Sequence, residues 1–94
     1  MSMAHVGHDT VIEDFVTLCP MVCISGYVVV REGAFLGAGA VVVPGKPGRP
    51  IVIGRGAYVF AGAVITKSVA DGAKVAGNPA APLRELIKRE RGRR

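Results

Sequence analysis

The stretch Val6-Gly7-His8-Asp9-Thr10-Val11-Ile12 begins a six-residue repeat that decides the fold. Every sixth position from there to residue 42 is aliphatic: Val6, Ile12, Leu18, Ile24, Val30, Leu36 and Val42. The same register returns later at Ile53, Val59 and Ile65. A second set, four residues after these positions, is small or short-branched: Thr10, Val16, Val22, Val28, Ala34, Ala40, Ala57, Ala63 and Val69. Two matched offsets with one period indicate a structural repeat and not merely a valine-rich composition.

A period of six fits neither an amphipathic helix, with period 3.6, nor an alternating strand, with period 2. It is typical of a parallel β-helix, a prism whose coil turns a corner after each of three short strands. Each side then directs one aliphatic side chain into the prism. A β-sandwich with coincidental spacing is the alternative, which the second offset disfavours.

Glycine is frequent near the predicted corners. Because glycine adopts positive φ without steric cost, we expect left-handed backbone at these positions. The glycines assigned to corners are Gly7, Gly26, Gly33, Gly37, Gly39, Gly54, Gly56 and Gly62.

The 94 residues are enough for one small domain of about four coils. We assign residues 1–78 to the β-helix, with a proline- and glycine-rich excursion at 44–52, and residues 79–94 to a short C-terminal α-helix and a basic tail. The helix is predicted from Pro82 to Arg91. Its apolar side chains Leu83, Leu86 and Ile87 are expected to cap the open end of the prism.

Composition narrows the class of protein. No apolar run reaches the roughly 20 residues of a membrane span, and no signal-peptide pattern is present, so we expect a cytoplasmic protein without a membrane partner. Cys19 and Cys23 are expected to be free thiols in a reducing compartment. Most of the net charge of +5 lies in residues 84–94. Because no aromatic stacking platform accompanies this tail, a solvated helix is favoured over nucleic-acid binding.

The sequences Val6-Gly7-His8-Asp9-Thr10-Val11-Ile12-Glu13-Asp14-Phe15, Gly37-Ala38-Gly39-Ala40 and Gly77-Asn78-Pro79-Ala80 resemble the left-handed β-helix (hexapeptide-repeat) acyltransferases. The closest resemblance is to the branch that acetylates sialic acids and amino-sugar nucleotides. It implies left-handed coils, a homotrimer, and acetyl-CoA as co-substrate without a metal. Such proteins usually carry an upstream acceptor-binding domain, which has no counterpart in these 94 residues.

The resemblance also implies roles for particular residues. His8 matches the general base and Asp9 the acidic neighbour that orients it. Acetyl transfer to an amine or hydroxyl of a sugar or sugar nucleotide would be direct, at a subunit interface, with the Gly26 backbone N–H as candidate oxyanion donor. The positions expected to contact the coenzyme are Thr17, Gly26, Ala38, Ala61, Gly62 and Lys67. Thr17 stands where some relatives have a second histidine.

Three alternatives stay open. A γ-type carbonic anhydrase shares this fold but needs three histidines, and the chain has only His5 and His8. A non-catalytic trimeric scaffold, or a truncated fragment, is the second. In the excursion, Lys46 and Arg49 either line the cleft or belong to a plain surface loop.

Overall fold

Residues 4–92, the part of the chain that this computed structural model describes, are built mainly from very short strands, with side chains described up to residue 88. The strands are β1 His5–Val6, β2 Val11–Ile12, β3 Thr17–Leu18, β4 Cys23–Ile24, β5 Val28–Val30, β6 Phe35–Leu36, β7 Val41–Val42, β8 Ile51–Ile53, β9 Tyr58–Val59, β10 Val64–Ile65, β11 Lys74–Ala76 and β12 Ala81–Pro82. Helix α1 follows at Leu83–Gly92. Corners separate the strands, as the period of six predicts.

The strands form three sheets, one on each side of a triangular prism, and every strand pair except β11–β12 is parallel. Sheet 1 has the order β1-β4-β7-β10, sheet 2 the order β2-β5-β8, and sheet 3 the order β12-β11-β9-β6-β3. His5 pairs with Cys23 and Cys23 with Val41, so one regular coil takes 18 residues, or three hexads. The parallel β-helix is therefore confirmed.

The aliphatic residues at every sixth position, which we call the ladder, form the core. Ile24, Leu36 and Ile53 have no exposed surface, and the small residues Ala34 and Ala63 are equally buried beside them. Removing this apolar surface from water is the main stabilising contribution to such a fold.

The first coil is packed less completely than the others. Val6 pairs with Ile24 and Ile12 with Val30, so both lie in line with the buried ladder. They are nevertheless 41% and 36% exposed. The described residues stack a coil on only one side of them, so the predicted inward position gives partial burial there.

Two irregularities change the register. Val28 pairs with Ile51, five residues beyond the regular spacing, because residues 44–50 form an inserted loop. Strand β8 begins at Ile51, so Ile51 and Val52 are strand residues and the excursion predicted at 44–52 is shorter. Further on, Val69 pairs with Ile53, which shortens that coil by two residues. Val69 therefore occupies an inward ladder position and not a position of the second set, to which the sequence pattern assigned it.

In most hexads positive φ falls three residues after the ladder position, although Gly45 and Ser68, at the same offset from Val42 and Ile65, do not have it. Gly33, Gly39, Gly56 and Gly62 have φ between 66° and 73° there. Gly7, Gly26, Gly37 and Gly54 are not among the positive-φ residues, so the expectation for them was wrong. They are required for space: a Cβ on Gly37 would lie 2.6 Å from the Ala61 nitrogen in the next coil.

The C-terminal end of the prism is covered in part. Strand β12 pairs antiparallel with β11 and closes one end of sheet 3, which protects its hydrogen-bonding groups. Helix α1 contacts these two strands. Leu83 and Leu86 are half-buried, whereas Ile87 is 48% exposed, so only part of the predicted apolar stripe covers the core. The side chains of the basic tail from residue 89 lie outside the described residues.

Two further predictions concern the cysteines and membrane-spanning helices. Cys19 and Cys23 are free thiols, both half-buried. Within residues 4–92, no helix has the length and apolar character needed to cross a membrane.

Candidate active site

His8 lies at the corner between sheets 1 and 2, next to Asp9. The His8 Nδ1 and Asp9 Oδ2 atoms are 3.1 Å apart, and the two side chains are 74% and 65% exposed. An ion pair this exposed contributes little to folding stability. The arrangement therefore matters more for the orientation of the imidazole than for the fold.

The contact with Asp9 determines which histidine nitrogen is available for chemistry. An ionised carboxylate accepts hydrogen bonds and cannot donate them, so in the neutral imidazole Nδ1–H is the donor. The lone pair is then on Nε2, which is free to accept a proton from a bound group. A carboxylate that fixes a histidine tautomer in this way is the usual arrangement for a general base.

Hydrogen bonds to the second coil hold the His8 backbone. The Tyr27 N–H donates to the His8 carbonyl at 3.2 Å. The Thr10 hydroxyl lies 2.9 Å from the Ser25 carbonyl and 3.3 Å from that of His8. The corner that carries the imidazole is thus tied to the corner above it.

Gly26 provides the space that the imidazole occupies. A Cβ at this position would lie 2.8 Å from His8 Cε1 and 3.0 Å from Nε2. Gly26 was predicted to contact the coenzyme. That contact stays a prediction; the structure shows only that the histidine ring leaves no room for a Cβ, so any larger residue would displace the candidate base.

Tyr27 is a site residue that the sequence analysis missed. Its ring meets the His8 ring edge-on, with centroids 5.2 Å apart and planes at 88°. Its φ is +58°, a left-handed conformation that a non-glycine residue adopts at a conformational cost. The available signal was its place three residues after Ile24, the offset at which glycine marks later corners. The tyrosine ring there limits the positions open to the imidazole.

The predicted site residues divide between two edges of the prism. We name as the His8 edge the stacked corners 7–10, 25–27, 43–50 and 66–68, which include Gly26 and Lys67. We name as the Ala38 edge the corners 19–22, 37–40 and 60–63, where the Gly62 N–H donates to the Ala38 carbonyl at 2.9 Å. Ala61 lies on this second edge. One side of the triangle, at most about 20 Å for six residues, separates the two sets.

Thr17 lies on neither edge. It is exposed on the outer face of sheet 3, where it pairs with Phe35. Phe35 in turn stacks on Tyr58 at a centroid distance of 4.6 Å. The structure therefore does not bring Thr17 to His8 within one chain.

His8 faces open solvent in the single chain. A cavity of about 550 Å³ lies elsewhere, between residues 70–74 and the start of helix α1. In the same part of the chain, no three His, Cys, Asp or Glu side chains are grouped as metal ligands. Because the His8 side chain is exposed, acyl transfer at its imidazole would need a second protein surface to exclude water.

Comparison with known proteins identifies the kind of β-helix. The chain is 47% identical over 77 residues to a GDP-perosamine N-acetyltransferase of Escherichia coli O157:H7. The structure of WeeI from Acinetobacter baumannii AYE superposes with a TM-score of 0.86 at 45% identity over 87% of this chain. The chain belongs with the hexapeptide-repeat acyltransferases. Its coils are accordingly left-handed, an exception to the usual right-handed crossover.

Two more solved acetyltransferases carry ligands. The acetyltransferase domain of PglB from Neisseria gonorrhoeae FA1090, in complex with acetyl coenzyme A, has a TM-score of 0.80, 36% identity and 88% coverage of this chain. A histidine-to-asparagine mutant of perosamine N-acetyltransferase from Caulobacter crescentus, in complex with CoA and GDP-perosamine, has a TM-score of 0.80, 34% identity and 87% coverage.

These hexapeptide-repeat relatives are longer than the present chain. It spans 35% of the length of the E. coli relative and 37–39% of the three solved chains. No family model matches it.

Proposed function

We propose that this β-helix transfers an acetyl group from acetyl coenzyme A to the amine of a nucleotide-activated sugar, with His8 as general base. The observation that carries the proposal is the His8–Asp9 pair at 3.1 Å, which leaves Nε2 free at an open edge. Support for the donor and the acceptor comes from relatives bound to acetyl coenzyme A and to GDP-perosamine.

The reaction needs one proton acceptor and no covalent enzyme intermediate. The amine lone pair attacks the thioester carbonyl carbon while His8 Nε2 takes a proton from the nitrogen. A C–N bond forms and the C–S bond breaks, and the thiolate of coenzyme A leaves and is protonated. The products are an acetamido sugar and free coenzyme A. A backbone N–H such as that of Gly26 is our candidate donor to the developing oxyanion.

We propose a homotrimer, with the reaction at the interface between subunits. The argument comes from the two edges. His8 lies on one of them, and Ala38, Ala61 and Gly62, the small residues assigned to the pantetheine arm, lie on the other. If the His8 edge of one prism faces the Ala38 edge of a second copy, both sets border a single cleft that excludes water. Lys67 would then meet the coenzyme phosphates from the His8 side.

The test compares two histidines of the same chain. His8→Ala should reduce acetyl transfer to an amino-sugar nucleotide by at least about 100-fold, since general-base catalysis contributes 10²–10⁴-fold. Coenzyme A binding, measured by calorimetry, and oligomeric mass should not change. His5→Ala, which removes an exposed imidazole on the outer face of sheet 1, should leave the rate unchanged.

An active His8→Ala protein would contradict the assignment of the base. A folded wild-type protein that does not bind coenzyme A would instead favour the non-catalytic scaffold.

A further inference from the structure

The basic hairpin, residues 44–50, is the one insertion in the described coils, and it arises on the His8 edge. Its base is hydrogen-bonded to the residues that flank the imidazole. The Gly45 N–H donates to the Gly26 carbonyl at 3.0 Å, and the Ile51 N–H donates to the Tyr27 carbonyl at 3.1 Å. The hairpin therefore starts on the same edge as His8 but two coils from it, with Gly26 and Tyr27 in the coil between.

The hairpin is a defined structure. Lys46 and Arg49 exchange both backbone N–H···O bonds, at 3.0 and 2.8 Å, around a turn formed by Pro47 and Gly48. Gly48 has φ +75°, as expected for the third residue of a type II turn. Prolines at 44, 47 and 50 restrict φ at three of its seven positions.

This pairing puts two positive charges side by side. Directly opposed residues of an antiparallel pair project from the same face, about 5.5 Å apart at Cα. Like charges in this position repel each other. Lys46 and Arg49 are exposed, and the ion pair identified among the described side chains does not involve them. Residues 33–70 contain no Asp or Glu but four cations, namely Lys46, Arg49, Arg55 and Lys67. Nothing nearby in the sequence neutralises the pair.

We propose that the basic hairpin binds the diphosphate of a substrate whose reacting group lies at His8. A diphosphate offers adjacent anionic oxygens that an ammonium and a guanidinium can share, the latter through two parallel hydrogen bonds. The inference rests on the proposed function, because both substrates of that reaction carry a diphosphate: coenzyme A between its adenosine and its pantetheine, and a nucleotide sugar between its nucleoside and its sugar.

The test measures binding and does not depend on turnover. Lys46→Gln/Arg49→Gln is compared with the wild-type chain by calorimetry, using coenzyme A in one arm and GDP or UDP in the other. We expect binding in one arm to weaken about tenfold, an effect that shrinks as salt is raised. Loss in the coenzyme A arm assigns the donor's diphosphate, and loss in the nucleoside diphosphate arm assigns the acceptor's.

The matched control is Arg31→Gln/Arg55→Gln, which removes the same charge from exposed positions on a different edge. An equal loss of binding in this control would mean that net charge, and not the hairpin, attracts the ligand. Lys46→Arg/Arg49→Lys keeps both charges and should retain most of the affinity.

Three results would overturn the proposal: unchanged binding in both arms, no saturable binding of either probe to wild type, or a changed oligomeric mass, which would make the hairpin a subunit contact. Failure of the proposed function would be recognised separately, by an active His8→Ala protein.

Discussion

The corners up to residue 27 and the corners after it have the same left-handed backbone but different residues. Left-handed φ falls at Asp9, Phe15, Met21 and Tyr27 early in the chain, and at Gly33, Gly39, Gly56 and Gly62 afterwards. A non-glycine residue pays roughly 1–2 kcal/mol for this conformation. The corners up to residue 27 therefore carry backbone strain that the glycine corners after it avoid.

The use of these side chains differs by edge. On the His8 edge, Asp9 and Tyr27 both contact the imidazole. On the other edges, Phe15 and Met21 are 84% and 69% exposed. Strain therefore coincides with contact to the candidate base His8, a combination that is common at active sites. Nothing in the described chain explains Phe15 and Met21. The half of the chain after residue 27, with glycine corners and a fully buried ladder, provides most of the stability.

The largest effect on stability should come from a substitution in the half of the chain after residue 27. Ile53→Ala removes a side chain with no exposed surface and should lower the free energy of unfolding by about 2–5 kcal/mol. Ile12→Ala, at an equivalent ladder position that is 36% exposed, should cost about 1 kcal/mol or less. Urea denaturation of the two variants measures the difference. Equal losses would show that both halves contribute equally to the core.

In the half of the chain up to residue 27, which contains His8, adding one methyl group at Gly26 should lower activity and leave stability almost unchanged. Gly26→Ala places a Cβ 2.8 Å from the His8 ring, which can rotate away, so we expect about a 100-fold lower kcat and little loss of stability. Gly37→Ala meets backbone at 2.6 Å and should destabilise the fold instead. Steady-state kinetics and thermal melts of both proteins test this contrast. If Gly26→Ala retained full activity, the His8 position would not matter.

The smallest effect concerns Tyr27. Tyr27→Gly relieves the left-handed strain but adds chain entropy to the unfolded state, so unfolding free energy should change by less than about 1 kcal/mol. Losing the edge-on ring should lower kcat roughly tenfold with little change in KM. Phe15→Gly changes an equivalent left-handed corner on the third edge of the prism, between sheets 2 and 3, and should leave kcat unchanged. A parallel fall in activity in Phe15→Gly would indicate a general effect of corner strain.

Much of the fold follows from the sequence because one period governs both core and corners. The ladder from Ile24 to Ile65 is buried as predicted, since each six-residue side repeats the same geometry. Val69 was assigned to the second set because a valine fits either offset. Only its pairing with Ile53 reveals that this coil is two residues shorter than a regular one. The glycines differ by offset: Gly37 and Gly54 directly follow ladder residues and provide space, whereas Gly33, Gly39, Gly56 and Gly62, three residues after ladder positions, provide positive φ.

The site was less predictable than the fold. The resemblance proposed His8 and Asp9, and the structure brings their side chains into contact. Tyr27 carries no motif, and its contact with His8 depends on stacking between coils 18 residues apart. Ala38, Ala61 and Gly62 lie on another edge of the prism, which a period of six does not distinguish from the His8 edge.

The basic hairpin also shows that a corner of the prism can change in length without changing the strand pairing on its sides. Because Val28, Val29 and Val30 still pair in order with Ile51, Val52 and Ile53 after five extra residues, the corner absorbs the whole insertion. Lengthening an exposed loop costs little, about 0.6 kcal/mol for each doubling. Corners on the His8 edge can therefore change length and charge while the flat sides keep their pairing, so that ligand recognition and folding can diversify independently.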